Sequence, residues 1–596
     1  MKKIFRTIRK THMWYLIVMR RFRYQNPQGF IYLASTLIGV MGGLSAVLLK
    51  NMAWLTEEII YHNKNIHLNY LTIVLPAIGI LLTVLYIKFF VKDNISHGVA
   101  KVMGAISKDQ SKIRNHNTYT SIISSSLTVG FGGSVGLEAP IVYTGAALGS
   151  NFAKSFNLNL KLRTLFIACG CSAAIAGIFK APITGIIFSL EVMMIDLSMW
   201  SMIPILISSV TGALISYFLM GDRVSFYFAV FEDFDKTKIP FYVLLGIACG
   251  LFALYYTRVS RFIEKKISLN KNIYTKAVIG GLSLGILILI FPPLFGEGYL
   301  TLQNIMSKNP SQIMDNSIFY SLSQNDEYLI VFLLIILFLK VIASIFTTAS
   351  GGIGGVFAPA LFTGGILGFV FAKILNLSQW VQLSEHNFSL VGMAGVMAGI
   401  MHAPMTSIFL IAEITGGYSL LFPLIITSSV AYLVKYHFDK YSVYTYSLRG
   451  GKMITHNKDK EAIRRLAIHQ LIENDFIRVP LTMPLSEFVK VIPHTQRNVV
   501  VVDNAKGKFV GWVQIDEILD ILLHKSKYEK LRISDVVTHP QETLTLYDDN
   551  AQIFKKFDKT TLWFLPIIEN GNYVGMLSKS KLLQRYRKLI VDFSED

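Results

Sequence analysis

The sequence predicts a polytopic α-helical membrane protein made of two related halves with broken helices, followed by an α/β tail outside the membrane. Three observations carry this. Hydrophobic residues make 52% of the 596 and charged ones 16%, with mean hydropathy +0.47; an ordinary soluble chain carries roughly 25% charged residues. Two segments far apart in the chain repeat each other. After about residue 449 charges become frequent and β-branched runs appear, as in Asn498-Val-Val-Val-Val-Asp503.

The N-terminus is basic (Lys2, Lys3, Arg6, Arg9, Lys10, Arg20, Arg21, Arg23), with no acidic residue before Glu57. It lacks the short apolar core and small-residue cleavage site of a signal peptide, so it is read as retained. Basic residues beside a first span place that end in the cytoplasm. Aromatic and apolar residues interleave with the charges, so residues 1–25 are read as an amphipathic helix on the membrane surface. The formal net charge of +19 does not mark a nucleic-acid binder, because the basic residues are spread between uncharged spans. Cys169, Cys171 and Cys249 lie in apolar segments and read as buried small hydrophobes, with no disulfide framework and no metal site.

Uncharged stretches follow one another: Phe30–Leu49, Tyr70–Ile87, Thr118–Leu137, Ala139–Ala153, Leu165–Phe179, Leu197–Met220, Ile239–Tyr256, Ala277–Phe295, Val341–Ala372, Phe388–Ala412 and Ile414–Val434. Several suit a helix of about 20 residues crossing a bilayer. Those around residues 118–153 and 341–372 are instead rich in Gly, Ser, Thr and Pro. Broken helices at membrane depth are tolerated where they line a cavity, so these breaks point to a transport site.

The repeat lies on the same breaks. Gly136 to Lys154 superposes on Gly355 to Lys373, with Gly, Ala, Pro, Thr, Gly, Leu, Gly, Phe, Ala and Lys coinciding. Ala181 to Glu191 superposes on Ala403 to Glu413. Two related membrane halves are the usual build of a transporter with its site between them. Each copy of the first repeat reads as glycines, Ala-Pro, then an apolar helix. A helix start offers free N–H groups and partial positive charge, so it attracts anions. Two such starts aimed at one place hold a desolvated anion without a fixed lysine, which would bind too tightly for throughput. A divalent-cation site wants clustered oxygen ligands, and residues 118–220 hold only Glu138, Glu191 and Asp196 as carboxylates. An anion is the better substrate.

These residues resemble the CLC family of chloride channels and proton-coupled anion transporters, over about residues 26–448. The family's gating-glutamate motif, Gly-Lys/Arg-Glu-Gly-Pro, is matched by Gly136-Leu137-Glu138-Ala139-Pro140. Its Gly-x-Phe-x-Pro motif is matched by Gly355-Val356-Phe357-Ala358-Pro359, and its tyrosine motif by Ser442-Val443-Tyr444-Thr445. The serine motif is degraded to Ser96-His97-Gly98-Val99-Ala100. The resemblance implies inverted-topology repeats with re-entrant helices, a homodimer with one pathway per subunit, and chloride as substrate with no required cofactor. It implies Glu138 as the gate, occupying an anion site when ionised and leaving it when protonated. It implies anion contacts from Gly136, Gly355, the amides of Val356 and Phe357, the Tyr444 hydroxyl and the residue at His97. The plainer alternative for Tyr444 is an interfacial anchor, and for His97 a side chain that points away from a backbone-defined site.

The departures bear on mechanism. Leu137 and Ala139 replace the motif's basic residue and second glycine, which removes a positive neighbour from Glu138. The family's exchangers usually carry an inner proton glutamate directly after Glu191; here that position is Val192. This weighs toward channel-like flux gated by voltage or pH, with proton-coupled exchange through Glu138 as the alternative.

The tail, residues 449–596, also repeats: Asn498 to Gly511 resembles Leu562 to Gly575, each read as strand, turn, strand, followed by helices at Ile515–Leu523 and Ser580–Leu589. It resembles a pair of cytoplasmic CBS modules. Its candidate adenine-nucleotide positions are Gly511, Glu517 and Ser578, but Lys581 stands where an Asp should hold the ribose. A dimerising or gating platform is the plainer reading. A CBS-regulated divalent-cation transporter, a fluoride exporter and a non-transporting sensor are weaker alternatives. No nucleophile–base pair and no phosphate loop suggests an enzyme. Both termini are expected in the cytoplasm, with the chain in the cytoplasmic (inner) membrane.

Overall fold

The computed structural model describes residues 21–61, 71–93, 95, 98–108, 110–194, 199–221, 234–306, 310–314, 317–322, 325–447, 463, 466–560 and 562–594. The chain divides into two compact units, Met1–Met453 and Ile454–Asp596. Residues 1–20 of the expected surface helix lie outside the described residues, as does the expected joint near residue 449.

The first unit is a multi-pass membrane domain. Among the described residues, nine helices are long and apolar enough to cross a bilayer, from Pro27–Ile60 to Leu421–Tyr446. Gly98–Ser107, Pro182–Glu191 and Pro404–Ile414 are apolar but too short to span alone. The sequence stretches translate into these helices with two instructive differences. Val341–Ala372 is two helices, Asp326–Ala349 and Phe357–Leu377, parted by the Gly-rich turn 350–355. The first begins far before residue 341, because Lys340 does not interrupt it. Its ammonium is fully buried, donates to the carbonyls of Leu294 (3.2 Å) and Gly296 (2.8 Å), and lies 4.7 Å from the Phe362 ring centre. Phe388–Ala412 is also two helices, Glu385–Met401 and Pro404–Ile414. The break is His402, at φ 57, followed by Ala403-Pro404; its repeat mate Lys180, at φ 58, precedes Ala181-Pro182 in the same way. Proline in the first turn starts a helix and cannot continue the one before it.

Each half packs its anion-motif helix on the helix that follows. Glu138–Ser155 crosses Leu160–Phe179, and Phe357–Leu377 crosses Glu385–Met401. Both crossings meet glycine on glycine. A Cβ on Gly145 would stand 2.2 Å from the Gly170 carbonyl oxygen, and one on Gly364 would stand 2.4 Å from that of Gly392. Small residues permit this backbone approach, which drives helix association in lipid.

The second unit holds two three-stranded sheets. Val499–Asp503 pairs antiparallel with Phe509–Gln514 and parallel with Arg478–Pro480. Phe564–Glu569 and Ile472–Glu473 flank Asn572–Ser578, both antiparallel. Both strand–turn–strand units expected from the sequence are present. Leu565, Leu577 and Leu582 pack with Phe557 under one sheet, and Val500, Val502 and Phe488 under the other. The first expected helix is shorter, a 3-10 turn Asp516–Ile518 leading into Leu519–Leu522, and the second is longer, Lys579–Ser594.

Candidate functional site

The two halves meet at their repeated glycines. Gly136 and Gly355 form an antiparallel bridge, each N–H donating to the other's carbonyl at 3.0 and 2.8 Å. One residue later Leu137 and Val356 stand as the helix N-caps, neither contributing a side-chain cap. The bridge therefore brings two uncapped helix starts to one point. It is braced from both sides by the same interaction used twice: Thr128 Oγ1 accepts from the Ile353 N–H at 3.0 Å, and Thr347 Oγ1 accepts from the Ser134 N–H at 3.1 Å.

Glu138 is the first residue of its helix and is 2% exposed. Its Oε1 accepts from the Tyr299 hydroxyl at 2.7 Å. Its Oε2 lies toward the Ala358 amide, at the start of the other half's helix, without closing a hydrogen bond of normal geometry. The carboxylate reaches there by passing over Gly136, where a Cβ would stand 1.9 Å from Oε2 and 2.9 Å from the Ala358 Cβ. Chemically, the arrangement presents one carboxylate to the positive ends of two helices in a dry setting.

The other expected residues fall around it. Phe357 is buried and stacks on Phe179 with centroids 5.1 Å apart. Tyr444 is buried and within electrostatic reach of Glu138. It sits on the short helix Val443–Ser447, which packs on Gly98–Lys108. His97 lies outside the described residues, but its neighbour Gly98 packs so close to the Glu138 helix that a Cβ there would stand 2.8 Å from the Ala139 carbonyl oxygen. Val192 is buried at the C-terminus of Pro182–Glu191. The Glu191 carboxylate beside it accepts from the Met405 and Thr406 amides at 3.1 and 2.7 Å and from the Thr406 hydroxyl at 2.7 Å. Glu413 does the same for Ile183 and Thr184 in the opposite direction.

Sequence reasoning missed four groups. Tyr299, Glu297, Lys50 and Lys340 all converge on the start of the Glu138 helix or on the turn beside it. Glu297 Oε1 accepts from the Leu137 N–H at 3.1 Å, and Lys50 is within electrostatic reach of both Glu297 and Glu138. The available signal was a lone charge at the edge of an apolar stretch, which deserves a functional hypothesis by default.

In the tail, Gly511 and Glu517 both approach Thr538: a Cβ on Gly511 would stand 2.4 Å from its carbonyl oxygen, and its hydroxyl lies 3.3 Å from Glu517 Oε2. Ser578 lies on the other sheet and accepts from the Lys581 N–H at 3.1 Å. Arg497 bonds Glu473 and, at 2.9 Å, Asp475, holding the Asp475 carboxyl below the usual carboxylate range. Burial pushes the Tyr573 phenol up.

A membrane domain of two inverted halves whose helix starts converge on a buried carboxylate defines a class of polytopic ion-handling proteins. A family model described as voltage gated chloride channel matches residues 78–436, and the chain belongs to that family. It is 27% identical over 439 residues to chloride channel protein CLC-e of Arabidopsis thaliana, covering 68% of this chain and 59% of the relative's length. Among solved structures it resembles a slow cyanobacterial Cl−/H+ antiporter, with TM-score 0.60 and 21% identity, covering 70% of this chain and 97% of the other. It also resembles a eukaryotic CLC transporter, with TM-score 0.59 and 18% identity, covering 95% and 98%. These two likenesses concern the fold.

Proposed function

We propose that the protein carries chloride or a similar anion across the cytoplasmic membrane, gated by Glu138, without a cofactor. One observation carries the reading: the Glu138 carboxylate lies over Gly136 and toward Ala358, between two uncapped helix starts. A place that suits a carboxylate oxygen suits a halide, because both need N–H donors and positive potential without a full counter-charge. Ionised Glu138 fills the seat itself; protonated or displaced, it leaves the seat to the anion. Gly136, Gly355, Val356 and Phe357 supply backbone to that seat, Tyr444 lies within electrostatic reach of it, and His97 is assigned to it by the family resemblance alone.

Flux is channel-like. Val192 cannot carry a proton, and the Glu191 carboxylate next to it is engaged by three hydrogen bonds that cap the other half's helix. The competing reading, proton-coupled exchange, draws support from the Tyr299 hydroxyl bonded to Glu138, a proton-bearing partner at the gate. The chain resembles in fold an antiporter of that kind. The protein functions as a homodimer with both termini in the cytoplasm, and its CBS-like tail regulates rather than catalyses. Nucleotide contact at Gly511, Glu517 and Ser578 is a subordinate part of this reading.

Purified protein in liposomes with a chloride gradient and no initial proton gradient tests the choice. Chloride release without proton movement is expected. Uphill proton movement abolished by Glu138→Ala would replace the channel reading with exchange.

A further inference from the structure

The gate has a second carboxylate beside it. A cavity of about 680 Å³ is lined by Lys50, Glu57, Leu137, Glu297 and Tyr299 among others. Glu297 is held there by its backbone. It sits between Gly296 at φ 55 and Gly298 at φ 88, a turn whose two left-handed positions favour glycine. Lys340 pins the turn from behind through the carbonyls of Leu294 and Gly296. Ser134, on the loop leading into the Glu138 helix, adds a bond from its hydroxyl to the Leu294 carbonyl at 2.6 Å.

This one turn makes two contacts with the gate. Glu297 takes the N–H of Leu137, the residue before Glu138, and Tyr299 donates its hydroxyl to Glu138 itself. The charged and titratable groups facing Glu297 are Glu138, Tyr299, Lys340, and Lys50 and Glu57 from the helix Pro27–Tyr61. Lys180 faces Lys50 in turn. The basic residue missing at Leu137 thus has a replacement in space, since Lys50 supplies a positive charge to the same helix start from another element.

We propose that Glu297 is a second proton-holding carboxylate of the gate, so that Glu138 and Glu297 share protons as a pair with Lys50 as their common counter-charge. Two neighbouring carboxylates repel, and the second ionises only at the expense of that repulsion. A proton leaving the Glu138 carboxyl is taken by the Glu297 carboxylate, which becomes neutral as Glu138 becomes charged and returns to its seat. The gate then responds to the charge of a carboxylate pair and not to one isolated side chain.

The inference rests on Glu138 being the gate, and the experiment separates the two. Chloride release from liposomes is followed against pH for the full-length protein and for Glu297→Gln, Lys50→Met and Glu138→Gln. Gln keeps an acceptor for the Leu137 N–H while removing the charge. Loss of the negative neighbour makes Glu138 protonate less readily, so the Glu297→Gln midpoint moves to lower pH by about tenfold in proton concentration. Loss of the positive neighbour moves the Lys50→Met midpoint to higher pH. Opposite shifts are a result that general damage to the fold does not produce. Should Glu297→Gln not fold, the direction of the Lys50→Met shift decides. Profiles superimposable on the parent, with Glu138→Gln flat, would overturn the pair and leave the gate standing. A Glu138→Gln profile that still follows pH would overturn the gate itself.

Discussion

Glu138 reaches its place because its neighbours in sequence and in space are so small. Gly136 has no side chain where the carboxylate passes, and Ala358 presents one methyl group. Replacing Gly136 by alanine puts a Cβ where Oε2 lies, so the carboxylate has to leave its seat. Chloride flux through Gly136→Ala is therefore expected to lose most of its pH dependence while the protein still purifies as a folded species; an unchanged pH profile in liposomes would refute the placement. Glu138→Gln should likewise flatten the profile, since a neutral amide neither titrates nor competes with chloride as an anion. Glu138 was legible in the sequence because a lone glutamate between glycine and Ala-Pro at a repeated helix start has little structural excuse. Glu297, Tyr299 and Lys50 were not, because each is a single residue beside an apolar stretch. Only folding brings residues 50, 297 and 299 to one cavity beside Glu138.

The elements are joined by exchange of identical contacts. Thr128 holds the second half's loop and Thr347 holds the first's, while Glu191 and Glu413 cap each other's neighbouring helices. Thr128→Val leaves the Ile353 amide buried without its acceptor, a loss of about 1–3 kcal/mol. Thermal unfolding in detergent should register it as a lower midpoint, and Thr347→Val should lower it less, because Thr128 also bonds the buried Thr83 hydroxyl at 3.0 Å. Equal losses would show that the Thr83 contact adds nothing to the brace. The repeated elements were readable from the coincidence of glycines and Ala-Pro pairs. The helix Asp326–Ala349 was partly hidden because Lys340 looks like a boundary until its carbonyl and ring partners are seen. In the tail, burial raises the Asp548 carboxyl, but the Lys556 ammonium at 2.6 Å and the Thr545 amide at 3.0 Å outweigh it and hold it below the ordinary range. A carboxyl lowered on folding stabilises the fold fully above its unfolded value and loses that contribution as pH falls through its folded one. Acid should therefore destabilise the tail less steeply in Asp548→Asn than in the parent, as read by tryptophan fluorescence during a pH titration.

At the scale of the whole molecule, the domain order and the two halves were legible, and the path of the chain between the halves was not. Composition shifts mark the tail, and a shared motif marks the duplication, but re-entrant helices leave no hydropathy signature of their own. The family match spans residues 78–436, and the fold likeness to the eukaryotic CLC transporter covers 95% of the chain. The proposed homodimer predicts two photobleaching steps per labelled particle in dilute proteoliposomes; single steps at high labelling efficiency would remove dimerisation from the reading. The bridge between Gly136 and Gly355 also bears on how such a chain is made. The Gly136 loop has no bridge partner until Gly355 has left the ribosome, which at cellular elongation rates is a delay of tens of seconds or less. During that interval the first half waits in the bilayer with its central bridge unmade, and the start of the Glu138 helix is completed only by chain that is synthesised more than two hundred residues later.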